Sequence, residues 1–81
     1  MVLLYPYQTE KTLKLAEKEN VITFIVERRA NKNQIKKEFE KRFNVKVLKV
    51  NTLITRKGLK KAYIKLSKEY NAAELFAKLT T

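Results

Sequence analysis

Apolar residues change period several times along this chain, and each change marks an element. Between Asn44 and Leu66 (NVKVLKVNTLITRKGLKKAYIKL) two runs rich in Val, Leu and Ile flank the chain's single glycine, Gly58. That arrangement predicts a hairpin. Its turn, Thr55-Arg56-Lys57-Gly58, puts the glycine where a positive φ would strain a residue bearing a Cβ. In the returning strand Ala62, Ile64 and Leu66 fall on one face and Lys61, Tyr63 and Lys65 on the other, because side chains alternate along a strand. One face builds a core; the other presents cations around an aromatic ring. In the outgoing strand, Val45 to Ile54, the apolar positions switch phase near Val47-Leu48, as a β-bulge requires.

The remaining pattern supplies the other elements. Met1 to Gln8 is apolar and aromatic, and Pro6 makes it an extended lead-in or a short edge strand. Thr9 caps a helix opened by Glu10, an acid set against the positive end of the helix dipole. Leu13 and Ala16 mark that helix's buried side, Leu15 flanks it, and Asn20 stops it. Val21 to Arg29 reads as a strand that is apolar on both faces, hence central in a sheet or covered on both sides. Asn31 and Gln34 form a capping box. Ile35, Phe39 and Phe43 follow at helical spacing as a core-facing stripe, and Lys32, Lys36, Lys37, Lys41 and Arg42 cover the rest of the helix. Asn71 to Glu74 repeats the capping pattern ahead of Leu75, Phe76 and Leu79. The order β-α-β-α-β-β-α predicts an α+β fold on an antiparallel sheet of three to four strands, in a single domain spanning 1–81.

Composition adds constraints. The chain has 81 residues, 44% of them hydrophobic and 33% charged, which suits one small globular core. With no cysteine, the fold must stand on packing or on a bound partner. No apolar run approaches the roughly 18 residues of a membrane span, and the N-terminus lacks the build of a signal peptide, so membrane insertion is not expected and a cytoplasmic location is. A Lys- and Glu-rich surface without cysteine also fits a heat-adapted source.

The net charge of +11 is unevenly placed. Residues 1–30 hold five Lys/Arg against four Glu, residues 31–68 hold thirteen against two, and residues 69–81 hold one against two. All of the excess therefore lies in the second helix and the hairpin. A one-sided positive field is the footprint of a polyanion binder.

Several chemistries are disfavoured. The chain has no histidine and no cysteine, so the commonest general base and the thiol nucleophile are missing. One glycine cannot build a phosphate-cradling loop or the GXXG loop of a KH domain. The eight carboxylates are scattered among lysines and read as surface ion pairs, not as an acid/base couple or a metal cage. The residues point away from an enzyme and imply no cofactor or metal. The aromatic signature of an RRM is absent from the strands. Tyr63 either stacks on a base or ribose, or packs on the stems of Lys61 and Lys65. Lysines greatly outnumber arginines, which favours point contacts with phosphates over guanine readout. The expectation is recognition of folded RNA by shape and charge, with Arg56, Lys57 and Lys65 among the contacts.

An ordered set of short motifs then carries a resemblance: Thr9-Glu10-Lys11-Thr12, Asn31-Lys32 followed by Ile35-Lys36 with Phe39 and Phe43, Val45-Lys46-Val47, Val50-Asn51-Thr52, and Lys60-Lys61-Ala62-Tyr63 with Leu66. In that order they resemble the large-subunit ribosomal protein family numbered twenty-three, which lies at the rim of the polypeptide exit tunnel. The resemblance implies helices on both faces of the antiparallel sheet, in α/β/α layers, and binding to large-subunit ribosomal RNA. It implies as partners a neighbouring small helical ribosomal protein and factors that meet the nascent chain: signal recognition particle, the translocation channel and chaperones. Asn51, Thr52, Lys60, Lys61 and Tyr63 match the family's RNA-facing motifs, Lys32 and Lys36 match basic positions of its second helix, and Glu10 matches an acid of its docking segment. Bacterial members carry a long extension between the last two strands, whereas here Arg56 to Lys60 closes the hairpin directly, a short form of archaeal or eukaryotic type. The other readings of the same residues are an independent RNA- or DNA-binding regulator and a basic module for an acidic protein.

Overall fold

A computed structural model describes residues 2–79. It contains, in order, β1 (Leu3–Pro6), α1 (Glu10–Glu19), β2 (Val21–Val26), α2 (Lys32–Phe43), β3 (Val47–Ile54), β4 (Lys60–Leu66) and α3 (Ala72–Lys78). The four strands form one sheet in the order β1-β2-β4-β3, with each neighbouring pair antiparallel. The α+β class, the antiparallel pairing and the order of elements agree with the sequence.

Local chemistry explains the boundaries. At Thr9 the hydroxyl accepts from the Thr12 backbone N–H while the Thr12 hydroxyl accepts from that of Thr9, so two donors at the start of α1 are satisfied reciprocally. Asn31 and Gln34 do the same for α2. Both helices end on an asparagine in the left-handed region, Asn20 at φ 60° and Asn44 at φ 55°, a conformation that asparagine tolerates better than most residues. The hairpin closes through Gly58 at φ +84°, with its N–H bonded to the Thr55 carbonyl.

The core lies on one face of the sheet. Leu3, Ile22, Phe24, Val26, Val47, Val50, Ala62, Ile64 and Leu66 join Ala16, Ile35, Phe39, Ala72 and Phe76 in one buried cluster, so each strand and each helix contributes. Phe24, Phe39 and Phe43 meet at its centre, with ring centroids 4.6–6.0 Å apart, a spacing that favours tilted and edge-to-face pairs. Three expectations are corrected. The helices do not lie on both faces: every strand residue in the cluster has the parity of Ile22, and all three helices feed that cluster. The opposite face is left without a helix. Leu13 is 41% exposed, and Thr12 occupies the buried position beside Ala16. The strand expected over Val21 to Arg29 ends at Val26, where Glu27 and Ala30 close a turn instead.

The two outer strands share a device. The register shifts between Leu3 and Tyr5 in β1 and between Val47 and Lys49 in β3, and the extra residues, Leu4 and Leu48, stand half out in solvent. Bulges on edge strands twist their free backbone away from pairing with another chain. Helix α2 ties down both edges, because Glu38 accepts from the N–H groups of Val2 and Leu3 and Glu40 accepts from that of Val47. These two carboxylates are backbone acceptors, not the surface ion pairs that their spacing suggested.

Candidate nucleic-acid interface

The helix-free face is built by strand alternation, and its rows follow from the register. Val21, Lys65 and Lys49 form one row across β2, β4 and β3. Thr23, Tyr63 and Asn51 form the next, and Tyr7 extends it at the β1 side through a bond from its N–H to the Thr23 carbonyl. Tyr5, Ile25, Lys61 and Leu53 form the third. No strand of the sheet carries a carboxylate, so the face combines three tyrosines, three lysines and an asparagine without an acid among them.

Thr23 and Ile25 are fully buried on this face although no helix lies there. Their cover comes from the flanking strands. The Lys61 ammonium sits 4.4 Å from the centre of the Tyr7 ring, and the two side chains meet across β2 above that pair. A cation over a ring at a partly exposed site contributes about 0.5–1 kcal/mol. The Thr23 hydroxyl beneath has no hydrogen-bond partner. Tyr63 remains half-buried and Tyr5 is 46% exposed.

Of the residues singled out from the sequence, Asn51, Lys61, Tyr63 and Lys65 come together on this face. Thr52 does not: it opposes Ala62 and is half-buried on the helix side. Lys60 also belongs to the helix side, where its ammonium donates to the carbonyls of Ala30 at 2.7 Å and Arg28 at 3.4 Å. That pair of bonds ties the hairpin to the β2–α2 loop and takes up two of the ammonium's three donors. Arg56 and Lys57 form the tip of the hairpin, and the Arg28 guanidinium approaches Gly58 so closely that a Cβ there would lie 3.8 Å from it. With Lys32 at the start of α2, they make a basic rim at the end of the sheet where β4 begins. Lys36 is exposed one turn further along α2, in the helical layer and away from the open face. Glu10 is exposed at the opposite end of the sheet from the rim, where β1 hands over to α1.

Sequence reasoning missed Tyr5, Tyr7 and Lys49. Their signal was available in part: Lys49 precedes Asn51 by two positions and so shares its face once the bulge at Leu48 is passed. Tyr5 and Tyr7 were hidden because their placement depends on β1 pairing with β2, which the lead-in segment does not announce.

Comparison with known proteins gives two findings. Residues 1–63 match the family described as ribosomal protein L23. The chain is also similar to the large ribosomal subunit protein uL23 of Pyrobaculum aerophilum, with 65% identity over 71 residues, covering 88% of each chain.

Proposed function

Since this chain belongs to the ribosomal protein L23 family, and so to the large ribosomal subunit of the cytoplasm, we propose that it is a structural element that holds ribosomal RNA at the rim of the polypeptide exit tunnel. The observation that carries this reading is the helix-free sheet face, where Lys49, Lys61 and Lys65 surround Tyr5, Tyr63 and Asn51 with no strand carboxylate. Phosphates meet the lysines, and Asn51 and the tyrosine hydroxyls supply hydrogen bonds to ribose and base edges. Arg28, Lys32, Arg56 and Lys57 extend the positive field around the hairpin end. Lys60 positions that end through its bonds to the β2–α2 loop.

Glu10 stands at the far end of the sheet from the basic rim, so an RNA bound to face and rim leaves it free. That placement supports a docking role for the start of α1 toward nascent-chain factors such as signal recognition particle, the translocation channel or chaperones, and a small helical ribosomal protein as neighbour. No catalytic step is part of this reading. The chain contains neither histidine nor cysteine, the commonest general base and the thiol nucleophile.

The test is binding of the full chain to large-subunit ribosomal RNA across a salt series. Reversing Lys61 and Lys65 to Glu should weaken binding at least tenfold at moderate salt and flatten the log-log salt slope by about one unit per lysine. Glu10→Ala should bind the RNA as the parent does. Unchanged affinity in the double reversal would remove the open face from the interface.

A further inference from the structure

We infer that the open face takes unpaired nucleotides, with bases stacked on Tyr63 and Tyr5, and that duplex RNA is not its ligand. The inference rests on the RNA-binding reading above and names the kind of RNA it takes. The three tyrosines of this face have different tasks. Tyr7 is committed, because the Lys61 ammonium lies on its ring face at 4.4 Å and the pair covers Thr23 and Ile25. Tyr5 and Tyr63 have no such partner among the ring contacts of the described residues. Tyr5 leaves 46% of its surface in solvent on the strand beside the buried Ile25. An exposed ring on a flat face, flanked by cations, is a platform for a π surface that carries phosphates.

The register sets the spacing of the platform. Tyr63 opposes Thr23, and Tyr5 opposes Ile25 on the far side of β2. Two strand spacings and two residues of rise put the tyrosines about 12 Å apart, with Lys61 between them and Lys65 and Lys49 in the row beyond. A strand of RNA crossing that diagonal meets a ring, a cation and a ring in turn. Bases offer their faces only when they are unpaired and splayed; in a duplex the faces are stacked on one another and only edges, riboses and phosphates are presented. The geometry therefore selects loops, bulges or junction strands of the RNA, while the hairpin tip and rim contact backbone of either form.

The experiment measures affinity of the full chain for a short unstructured RNA oligonucleotide and for a duplex of matched charge, by fluorescence anisotropy, with circular dichroism verifying the fold of each variant. Tyr63→Leu and Tyr5→Leu keep an apolar side chain on the strand and remove the ring. Each should weaken the single strand roughly five- to a hundredfold and leave the duplex unchanged; Tyr63→Phe should restore binding, because stacking needs the ring and not the hydroxyl. Lys65→Glu should weaken the single strand, and Arg56→Glu at the hairpin tip should weaken both RNAs. If both Leu variants bind the single strand as the parent does while Lys65→Glu weakens it, the stacking inference is overturned and the RNA-binding reading stands. If the Leu variants and Lys65→Glu all leave both affinities unchanged, both readings fall. Loss of a protein partner with intact single-strand binding in the Leu variants would assign these tyrosines to a protein contact and overturn the inference.

Discussion

Asn20 is the side chain on which the lower half of the fold closes, and its replacement gives a graded prediction. It ends α1 at φ 60° and ψ 38°; its Nδ2 donates to the carbonyls of Leu66, Ser67 and Tyr70 at 2.9–3.2 Å, and its Oδ1 accepts from the Ala72 N–H at 2.8 Å. One residue thus joins the α1–β2 junction to the β4–α3 loop and to the start of α3. An amide nitrogen has two protons for three carbonyls, so the set counts as about three full bonds, each contributing roughly 0.5–1.5 kcal/mol. Asn20 is half-buried, and water can replace part of the loss. Asn20→Gly, which keeps the left-handed backbone, should therefore cost about 2–3 kcal/mol, and Asn20→Ala about 1–2 kcal/mol more because a Cβ disfavours that backbone. Asn20→Asp keeps an acceptor for Ala72 but points a carboxylate oxygen at three carbonyl oxygens. It should be weaker than Asn20→Gly at neutral pH and recover as the pH falls through its raised folded pKa, where the protonated form regains a donor. Urea unfolding followed by circular dichroism reads these differences, and for a domain of this size about 1 kcal/mol moves Tm by roughly 4–8 °C. A Gly variant within about 0.5 kcal/mol of the parent, or an Ala variant at least as stable as the Gly variant, would refute the reasoning.

Two further predictions concern α2. Hydrogen bonds from the backbone of Leu3 and then Val2, with Arg42 nearby, hold the Glu38 carboxyl below its ordinary value of 4.5 against the opposing effect of burial. A depressed folded pKa stabilises above the unfolded value, so this contribution is complete above about pH 5 and is lost as the pH falls through the lowered folded pKa. Glu38→Gln should cost roughly 1.5–3 kcal/mol at pH 7 and remove that part of the acid dependence; a Gln variant with the parent's stability at pH 7 would show that β1 is not held by this residue. Phe39→Ala should cost about 3–5 kcal/mol in chemical denaturation, since Phe39 is fully buried between Phe24 and Phe43; a loss below about 1 kcal/mol would mean that the aromatic cluster repacks.

Which residues share the open sheet face was largely legible from the chain, and the residues that fall on the other face share one cause. Lys61, Tyr63 and Lys65 alternate in a strand whose other face is Ala62, Ile64 and Leu66, so one local rule puts them together. Thr52 and Lys60 were grouped with them by adjacency in motifs, but adjacent residues of a strand point to opposite faces. The Lys60 ammonium then finds the Ala30 carbonyl, a partner thirty residues away. Glu38 and Glu40 looked like members of a charge pattern on a helix, yet they meet backbone N–H groups of the two edge strands, which no helical spacing reveals.

Sequence alone determined the element order, the caps at Thr9, Asn31 and Asn71, the glycine turn, the phase slip at Leu48 and the concentration of charge in residues 31–68. Each depends on contacts within a few residues or on the period of a single element, and is therefore written locally. Tertiary structure decided the rest. Period-two alternation tells that a strand has two faces but not what will cover each one, so it could not show that α1, α2 and α3 all pack on the side of Ile22, Phe24 and Val26. That choice depends on which faces the helices bury together in one cluster. It leaves Tyr5, Tyr7, Tyr63 and their lysines without a helical cover, and a row of side chains that looked like strand decoration becomes the surface open to a partner.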